Sequence, residues 1–230
     1  MFAPRPLPIS EILLTSVKVA NVYRDAVLIV ATVPAIGMAI LASLPFQGTG
    51  VVGLALVPLK AVFWSLLALG CLRVTLLGPK SMDLSYLPSW GNLEWQFYLR
   101  VLLVAVGAAV LFGLPALLPV DSLSPWLEVV LAGAVLGRVV LVFPALVVGG
   151  RSDWMTAWTL SSSSAWRLTV IPVLLVLTLD TVPMWAAAHL PPYLVVAVVL
   201  LSTLIAMLAM IALGIAYRIL SHQSRSPAVP

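Results

Sequence analysis

The sequence predicts an all-α, polytopic membrane protein with six transmembrane helices. Of its 230 residues, 62% are hydrophobic and 9% are charged, whereas soluble domains are about half apolar and a quarter charged. The apolar residues form continuous runs close to the ~20 residues that cross a hydrocarbon core. Strands of a membrane β-barrel would alternate apolar and polar residues instead. Continuous apolar runs therefore predict helices as the spanning elements.

The first 25 residues predict an interfacial segment. Residues 1–9 carry three prolines and are expected to be extended. Ser10 then predicts a helix N-cap, and Glu11 falls in the first turn, where the helix dipole favours an acid. This helix is expected to extend to about residue 24 and to lie along the membrane surface. Its predicted apolar face consists of Leu13, Val17 and Ala20.

Six apolar runs after this segment predict the spans of a single domain that covers residues 1–230. They lie at about 26–44, 51–77, 97–118, 126–148, 168–188 and 193–220. Pro34 lies inside the first run and predicts a kink there, and Pro144 lies inside the fourth. The polar residues 221–230 form a tail that is expected to be disordered.

Lysine and arginine occur on one side of the predicted membrane. The turns at 45–50, 119–125 and 189–192 contain neither residue, whereas the N-terminal segment, the two alternate connections and the C-terminal tail are basic. Basic residues mark the cytoplasmic side of a membrane protein. Both termini are therefore expected in the cytoplasm.

Basic residues also divide the chain into three similar pairs of spans. The pairs begin near Arg24, Arg100 and Arg167 and end near Arg73, Arg138 and Arg218. A glycine precedes each end: Gly70, Gly137 and Gly214. This order is compatible with a threefold repeat of two spans in parallel orientation. The alternative is that cytoplasmic helix ends carry arginine whether or not they derive from a repeat.

Three ionisable residues fall inside predicted spans: Lys60, Arg138 and Asp180. Charged side chains at such depth mark a functional site or an internal ion pair. With a rise of ~1.5 Å per residue, Lys60 and Asp180 lie at matching depth. They are predicted to pair if the second and fifth spans are neighbours, either as a gate or ligand site or as an ion pair that fixes helix register. Arg138 is closer to the inner leaflet and can extend its guanidinium to the surface.

Tryptophans in the basic connections predict an aromatic belt at the headgroup level: Trp90, Trp95, Trp154, Trp158 and Trp166. Some of these and the neighbouring arginines are the candidates for interfacial contacts with lipid or a partner: Arg73, Arg100, Arg151, Trp154, Trp158, Trp166 and Arg167. Small residues permit close contacts between helices, and Gly107, Gly133 and Gly137 are the candidates.

Catalysis and metal binding are not expected. The serines 161–164 lack a nearby base, because the two histidines lie at positions 189 and 222 and a catalytic serine needs one within hydrogen-bond reach. These serines predict a helix break and an N-cap instead. The lone Cys71 predicts a small buried side chain. No cofactor motif and no dense basic run for nucleic acid is present in the sequence.

One stretch resembles a known group of proteins. Its residues are Arg138, Phe143-Pro144-Ala145, Ala157-Trp158, Leu160 and Trp166-Arg167-Leu168, and the run from Leu72-Arg73 to Leu76-Leu77-Gly78 is similar to the end of the second span in that group. The pattern resembles the YciC-like bacterial six-span proteins and the group named for a glycerophosphodiester phosphodiesterase membrane domain. Ser161 to Ser164 departs from the basic or glycine-containing turn of that group. The resemblance implies a bacterial inner-membrane location and supplies no catalytic residues.

Two functions are compatible with these features. The first is a non-enzymatic accessory or scaffold subunit that binds membrane lipids, other membrane proteins or further copies of itself. The second is a small transporter or channel for an anionic or lipid-like substrate. In that case Lys60, Arg138 and Asp180 would line the path.

Overall fold

The computed structural model describes residues 8–43, 51–81, 90–117, 133–149, 154–162, 164–178 and 182–225. The regular secondary structure in these ranges is helical. The first half of the chain forms α1 (Ile9–Val22), α2 (Arg24–Ser43), α3 (Val51–Leu77), a 3-10 turn (Pro79–Ser81) and α4 (Asn92–Leu117). The second half forms α5 (133–139), α6 (Val142–Val147), α7 (Trp154–Ser161), α8 (Ala165–Leu168), α9 (Val170–Val176), α10 (Val182–His189) and α11 (Pro192–Arg225).

Three helices in the described ranges are long and apolar enough to cross a membrane: Arg24–Ser43, Leu56–Leu77 and Pro192–Gln223. They coincide with the first, second and sixth predicted spans. Two shorter apolar helices, Gly133–Val147 and Trp166–Leu175, lie within the fourth and fifth. The described part of the chain thus confirms an all-helical protein with long apolar helices. The count of six spans stays a prediction.

The C-terminal helix α11 is the centre of the fold. It contacts α1, α2, α3, α6, α7, α9 and α10. Most residues between 206 and 216 are buried, and many are small: Ala206, Ala209, Ala212, Gly214 and Ala216. Small side chains let neighbouring helix backbones approach closely. Near its N-terminal half α11 instead exposes Leu200, Leu201, Leu204 and Ile205.

A single apolar core joins α11 to the inner parts of the other helices. Its residues include Leu67, Cys71 and Leu72 of α3, Phe97 of α4, Val142 and Phe143 of α6, and Ile211 and Leu213 of α11. Cys71 is fully buried, which confirms its predicted role as a small core side chain. A second, smaller cluster joins α2 to α11 through Met38, Leu41, Val195 and Val199.

The N-terminal helix α1 packs against α11 and α2, and two details of its prediction are wrong. Pro8, not Ser10, occupies the N-cap position, because the Pro8 carbonyl accepts the first helical hydrogen bond from the Ile12 N–H. The fully buried residues are Ile12 and Ser16. Leu13 and Ala20 pack against the core as predicted, whereas Val17 is 52% exposed. Ser16 can be buried because its hydroxyl donates to the Leu13 carbonyl at 2.7 Å.

The fourth predicted span is not a straight helix in its described part. A turn at 140 and 141 separates α5 from α6. Proline has no N–H and its ring crowds the carbonyl four residues earlier, so Pro144 disrupts the helix at Val140. The Val140 carbonyl instead accepts from the Phe143 N–H at 3.2 Å. The fifth span is also irregular, since α9 runs into a π-helical turn at 177 and 178.

Candidate interfacial site at the basic end of the helices

Several contacts bring the basic ends of the helices together. The Arg218 guanidinium of α11 bonds to the Leu76 carbonyl at the end of α3. Arg73 of α3 pairs with Glu94 at the start of α4. The rings of Phe97 and Phe143, with centroids 5.1 Å apart, join α4 to α6. The ends that the sequence predicts on the cytoplasmic side therefore lie near one another, and we call this region the basic end.

Arg73 and Glu94 form a buried ion pair at the basic end. Arg73 Nη2 lies 2.7 Å from Glu94 Oε1, and Glu94 Oε2 accepts the Gly91 N–H at 3.0 Å. Glu94 is the third residue of α4 and reaches back to the residue before the helix, as the acid of a capping box does. The sequence interpretation did not select Glu94, although its spacing from Gly91 was the available signal.

The environment of Glu94 stabilises its charged form. Burial alone would raise the pKa of this carboxyl, because a charged group loses hydration. The hydrogen bonds from backbone N–H groups and from Arg73, together with the positive charge of Arg73, act in the opposite direction and outweigh the burial. The pKa of Glu94 therefore lies below its ordinary value, and the pair is ionised at neutral pH.

Arg138 lies next to the break between α5 and α6, where α7 covers it. Its guanidinium carbon is 5.1 Å from the centre of the Trp158 ring, a cation–π contact. The Ser161 hydroxyl shares its proton between the Arg138 carbonyl, at 3.1 Å, and the Trp158 carbonyl of its own helix, at 3.0 Å. Arg138 lies in the last turn of α5, where carbonyls have no donor within the helix, and Ser161 supplies one. Both contacts come from α7, so α7 fixes the position of Arg138.

The serines after Trp158 have distinct structural roles. Ser161 is fully buried and ends α7. Ser162 is exposed and bonds only locally, to the Thr159 carbonyl at 2.7 Å. The Ser164 carbonyl accepts the N–H groups of Arg167 and Leu168, both at 3.0 Å, at the start of α8. The predicted helix break at these serines is confirmed.

Indole side chains are exposed around the basic end. Trp166 is 76% exposed and Trp158 is 45% exposed, whereas Trp154 is half-buried against the core. Trp95 is exposed and packs edge to face with Trp90 and Tyr98, with ring centroids 5.7 and 5.8 Å away. Large exposed indoles suit the boundary between hydrocarbon and headgroups. The aromatic belt itself stays a prediction.

The remaining arginine candidates differ in setting. Arg100 is half-buried in α4, and its Nη1 atom is buried and finds no hydrogen-bond partner. Arg167 lines a small cavity of about 10 Å³ between α1, α9 and α11, together with Ile12, Leu168, Ile171 and Ala212. That volume accommodates about one water molecule. Arg151 lies outside the described residues.

Lys60 is half-buried in α3, and Asp180, its predicted partner, lies outside the described residues. Their pairing stays a prediction. Among the residues that the structure describes, no carboxylate forms an ion pair with Lys60. Within the same ranges, no group of three His, Cys, Asp or Glu side chains is placed to hold a metal ion.

Two of the three glycines predicted to permit close contacts do so. A Cβ on Gly133 would collide with the Val173 side chain, and one on Gly137 would lie 3.0 Å from the Thr169 backbone nitrogen. A Cβ on Gly107 would meet nothing within 4 Å among the described residues, so a contact role for it stays a prediction. Gly70 and Gly214 are also tightly packed, against Val30 and Thr75. The arginines that follow the repeat glycines have different partners, and the threefold repeat remains unconfirmed.

The sequence was compared with protein families and with curated proteins, and the fold with solved structures, and none of the three comparisons finds a match.

Proposed function

We propose that this protein is a non-enzymatic accessory or scaffold subunit of a bacterial inner membrane, where it binds lipids and other membrane proteins. One observation carries the proposal. Polar groups at the basic end contact one another or the backbone, as in Arg73–Glu94 and Arg218–Leu76, while Trp95, Trp158 and Trp166 are exposed. A basic end whose charges are paired and whose indoles are exposed suits a docking surface at the membrane boundary.

The proposed orientation places both termini in the cytoplasm, and it is supported by the distribution of lysine and arginine. Reporter fusions test it. A fluorescent protein that matures only in the cytoplasm should be bright when fused after residue 225. Alkaline phosphatase, which is active only outside the cytoplasm, should be active when inserted in the turn at 190 and 191. The opposite pattern would overturn the orientation.

The accessory role is tested by extracting the tagged full-length protein gently from its native membrane and identifying stoichiometric partners by mass spectrometry. We expect a partner protein, and we expect Trp166→Ala to lose it because Trp166 is the most exposed indole in the described residues. The matched control is Trp185→Ala, an exposed tryptophan on α10 that stacks on His189. Extraction of wild-type protein without any partner would overturn the accessory role.

A transporter or channel is the second candidate, because Lys60 is half-buried within the apolar helix α3. A lysine inside a span marks a substrate or ion path by default. Flux of an anionic substrate into liposomes tests this. If the protein is a transporter, Lys60→Ala and Asp180→Ala should abolish flux while the yield of folded protein stays normal. Lys18→Ala, on the exposed face of α1, should leave the flux unchanged. Loss of folded protein in both variants, with rescue by exchanging the two residues, would instead establish a structural pair.

A further inference from the structure

Arg138 is held in place by two contacts from α7, a helix that also exposes Met155 and Trp158. Ser161 Oγ bonds to the Arg138 carbonyl at 3.1 Å, and the guanidinium lies 5.1 Å from the centre of the Trp158 ring. The first contact holds the backbone and the second holds the charged group over the indole ring. A cation–π contact with the ring face does not use the guanidinium N–H groups, so they can bond to another acceptor. The side chain is therefore positioned before any ligand arrives.

The N–H groups of Arg138 have no acceptor among the described residues, although the side chain is half-buried. The other two arginines that end the predicted pairs of spans each donate a hydrogen bond within the protein. Arg73 bonds to the Glu94 carboxylate and Arg218 to the Leu76 carbonyl. Five N–H donors in a partly desolvated setting require acceptors. Arg138 differs from the other two because its acceptor has to come from outside the described chain.

The surroundings of Arg138 fit a lipid. The exposed side chains of α7, Met155 and Trp158, and the exposed Trp166 of α8 are large and apolar, which suits acyl chains and the headgroup boundary. A planar guanidinium matches the oxygens of a phosphate in a bidentate arrangement. Anionic lipids supply both a phosphate and an apolar tail.

We propose that Arg138, held over Trp158 and bonded to Ser161, binds the phosphate of an anionic membrane lipid. This site deepens the proposed function and rests on the membrane location assigned there. Arg138 precedes the turn between α5 and α6, and its guanidinium lies against α7. The lipid would fill the space beside Trp158 and join α7 to the bilayer.

The test uses the full-length protein in nanodiscs of phosphatidylcholine that contain a minor fraction of phosphatidylglycerol. Native mass spectrometry measures the phosphatidylglycerol retained per protein. Arg138→Gln should lower the apparent affinity about tenfold, because a charge-assisted bidentate contact is lost. The apparent affinity of Arg138→Lys should lie between those of the wild type and Arg138→Gln, since lysine retains the charge and loses the planar guanidinium. Trp158→Leu should also weaken retention, because it removes the ring that orients the guanidinium.

The matched control is Arg24→Gln, which removes the same charge from the exposed Arg24–Asp25 pair and should leave retention unchanged. Equal losses in Arg138→Gln and Arg24→Gln would overturn the site, because they would reflect overall charge. Displacement of the lipid by inorganic phosphate at equal concentration would also overturn it in favour of a solute anion. If Arg138→Gln does not yield folded protein, Arg138→Lys and Trp158→Leu carry the test.

The nanodisc measurement and the extraction from native membrane together separate this site from the accessory role. If Arg138→Gln retains as much phosphatidylglycerol as the wild type, and the protein has a stoichiometric partner, only the lipid site is overturned. Loss of phosphatidylglycerol in Arg138→Gln from a protein that has no partner would overturn the accessory role alone.

Discussion

Arg218 donates a hydrogen bond from Nη2 to the backbone carbonyl of Leu76 at 3.0 Å. Leu76 lies in the last turn of α3, where carbonyls have no donor within the helix. A cation at this end is also favoured by the helix dipole. The bond joins the central helix α11 to α3 at the basic end, and it pairs with the close approach of Gly214 to Thr75 one turn earlier.

Arg218→Ala should destabilise the protein by about 1–3 kcal/mol, because the Leu76 carbonyl loses its donor in a partly buried setting. The measurement is the midpoint of thermal unfolding in detergent, followed by tryptophan fluorescence. Arg24→Ala is the control, since Arg24 is exposed and pairs only with the exposed Asp25. Equal midpoints for the two variants would show that the bond to Leu76 contributes nothing measurable.

The Arg73–Glu94 pair predicts loss of stability in acid. The folded pKa of Glu94 lies below its ordinary value of 4.5, so its ionised form contributes stability that is present at neutral pH. That contribution is lost as pH falls through the folded pKa. Unfolding midpoints recorded from neutral pH downward should therefore decline at acidic pH, and Glu94→Gln should reduce the decline.

Removal of Arg73 should lower the stability of the protein more than neutralisation of Glu94. Arg73→Ala leaves a buried carboxylate without its partner and should cost about 3 kcal/mol. Glu94→Gln retains an oxygen for the Gly91 N–H and should cost less. A larger loss from Glu94→Gln than from Arg73→Ala, measured by unfolding at neutral pH, would contradict the assignment of Arg73 as the main support of Glu94.

Two glycines provide a matched comparison of packing. Gly137→Ala would place a Cβ 3.0 Å from the Thr169 nitrogen and 3.1 Å from its Cα. Backbone cannot move aside as a flexible side chain can, so the cost should be about 1–3 kcal/mol. Gly107→Ala meets open space and should be neutral or stabilising, because alanine favours a helix over glycine by about 1 kcal/mol. Similar unfolding midpoints for the two variants would refute the close contact.

The sequence predicted the long helices well and the local contacts poorly, for a physical reason. Continuous apolar runs near 26–44 and 51–77 predict α2 and α3 to within two residues, because length and hydropathy decide a long apolar helix. The run near 193–220 predicts the start of α11 to within one residue, but α11 continues to Arg225, five residues past its predicted end. The break at Val140 depends on how Pro144 and α7 combine in three dimensions. Likewise, the role of Glu94 depends on Arg73, which is 21 positions away in the chain.

The candidate site was also predicted only in part. The order of residues along the chain predicted arginine and tryptophan at one end of the helices, since these residues favour the membrane boundary. The sequence could not assign their partners, because Arg73, Arg138 and Arg218 all end predicted pairs of spans and yet contact a carboxylate, an indole and a carbonyl. Pairing between helices is a tertiary property, so only the structure distinguishes a satisfied arginine from an available one.

Ser161 and Ser162 are adjacent serines with different predicted effects. Ser161 is buried and its hydroxyl bonds to the Arg138 carbonyl at the break between α5 and α6, so Ser161→Ala should cost about 1–2 kcal/mol by leaving that carbonyl without a donor. Ser162→Ala should have little effect, because Ser162 is exposed and bonds only to Thr159. Thermal unfolding of both variants measures the difference. If they unfold alike, α7 does not fix Arg138 through Ser161, and the contact with Trp158 alone must hold the guanidinium in place.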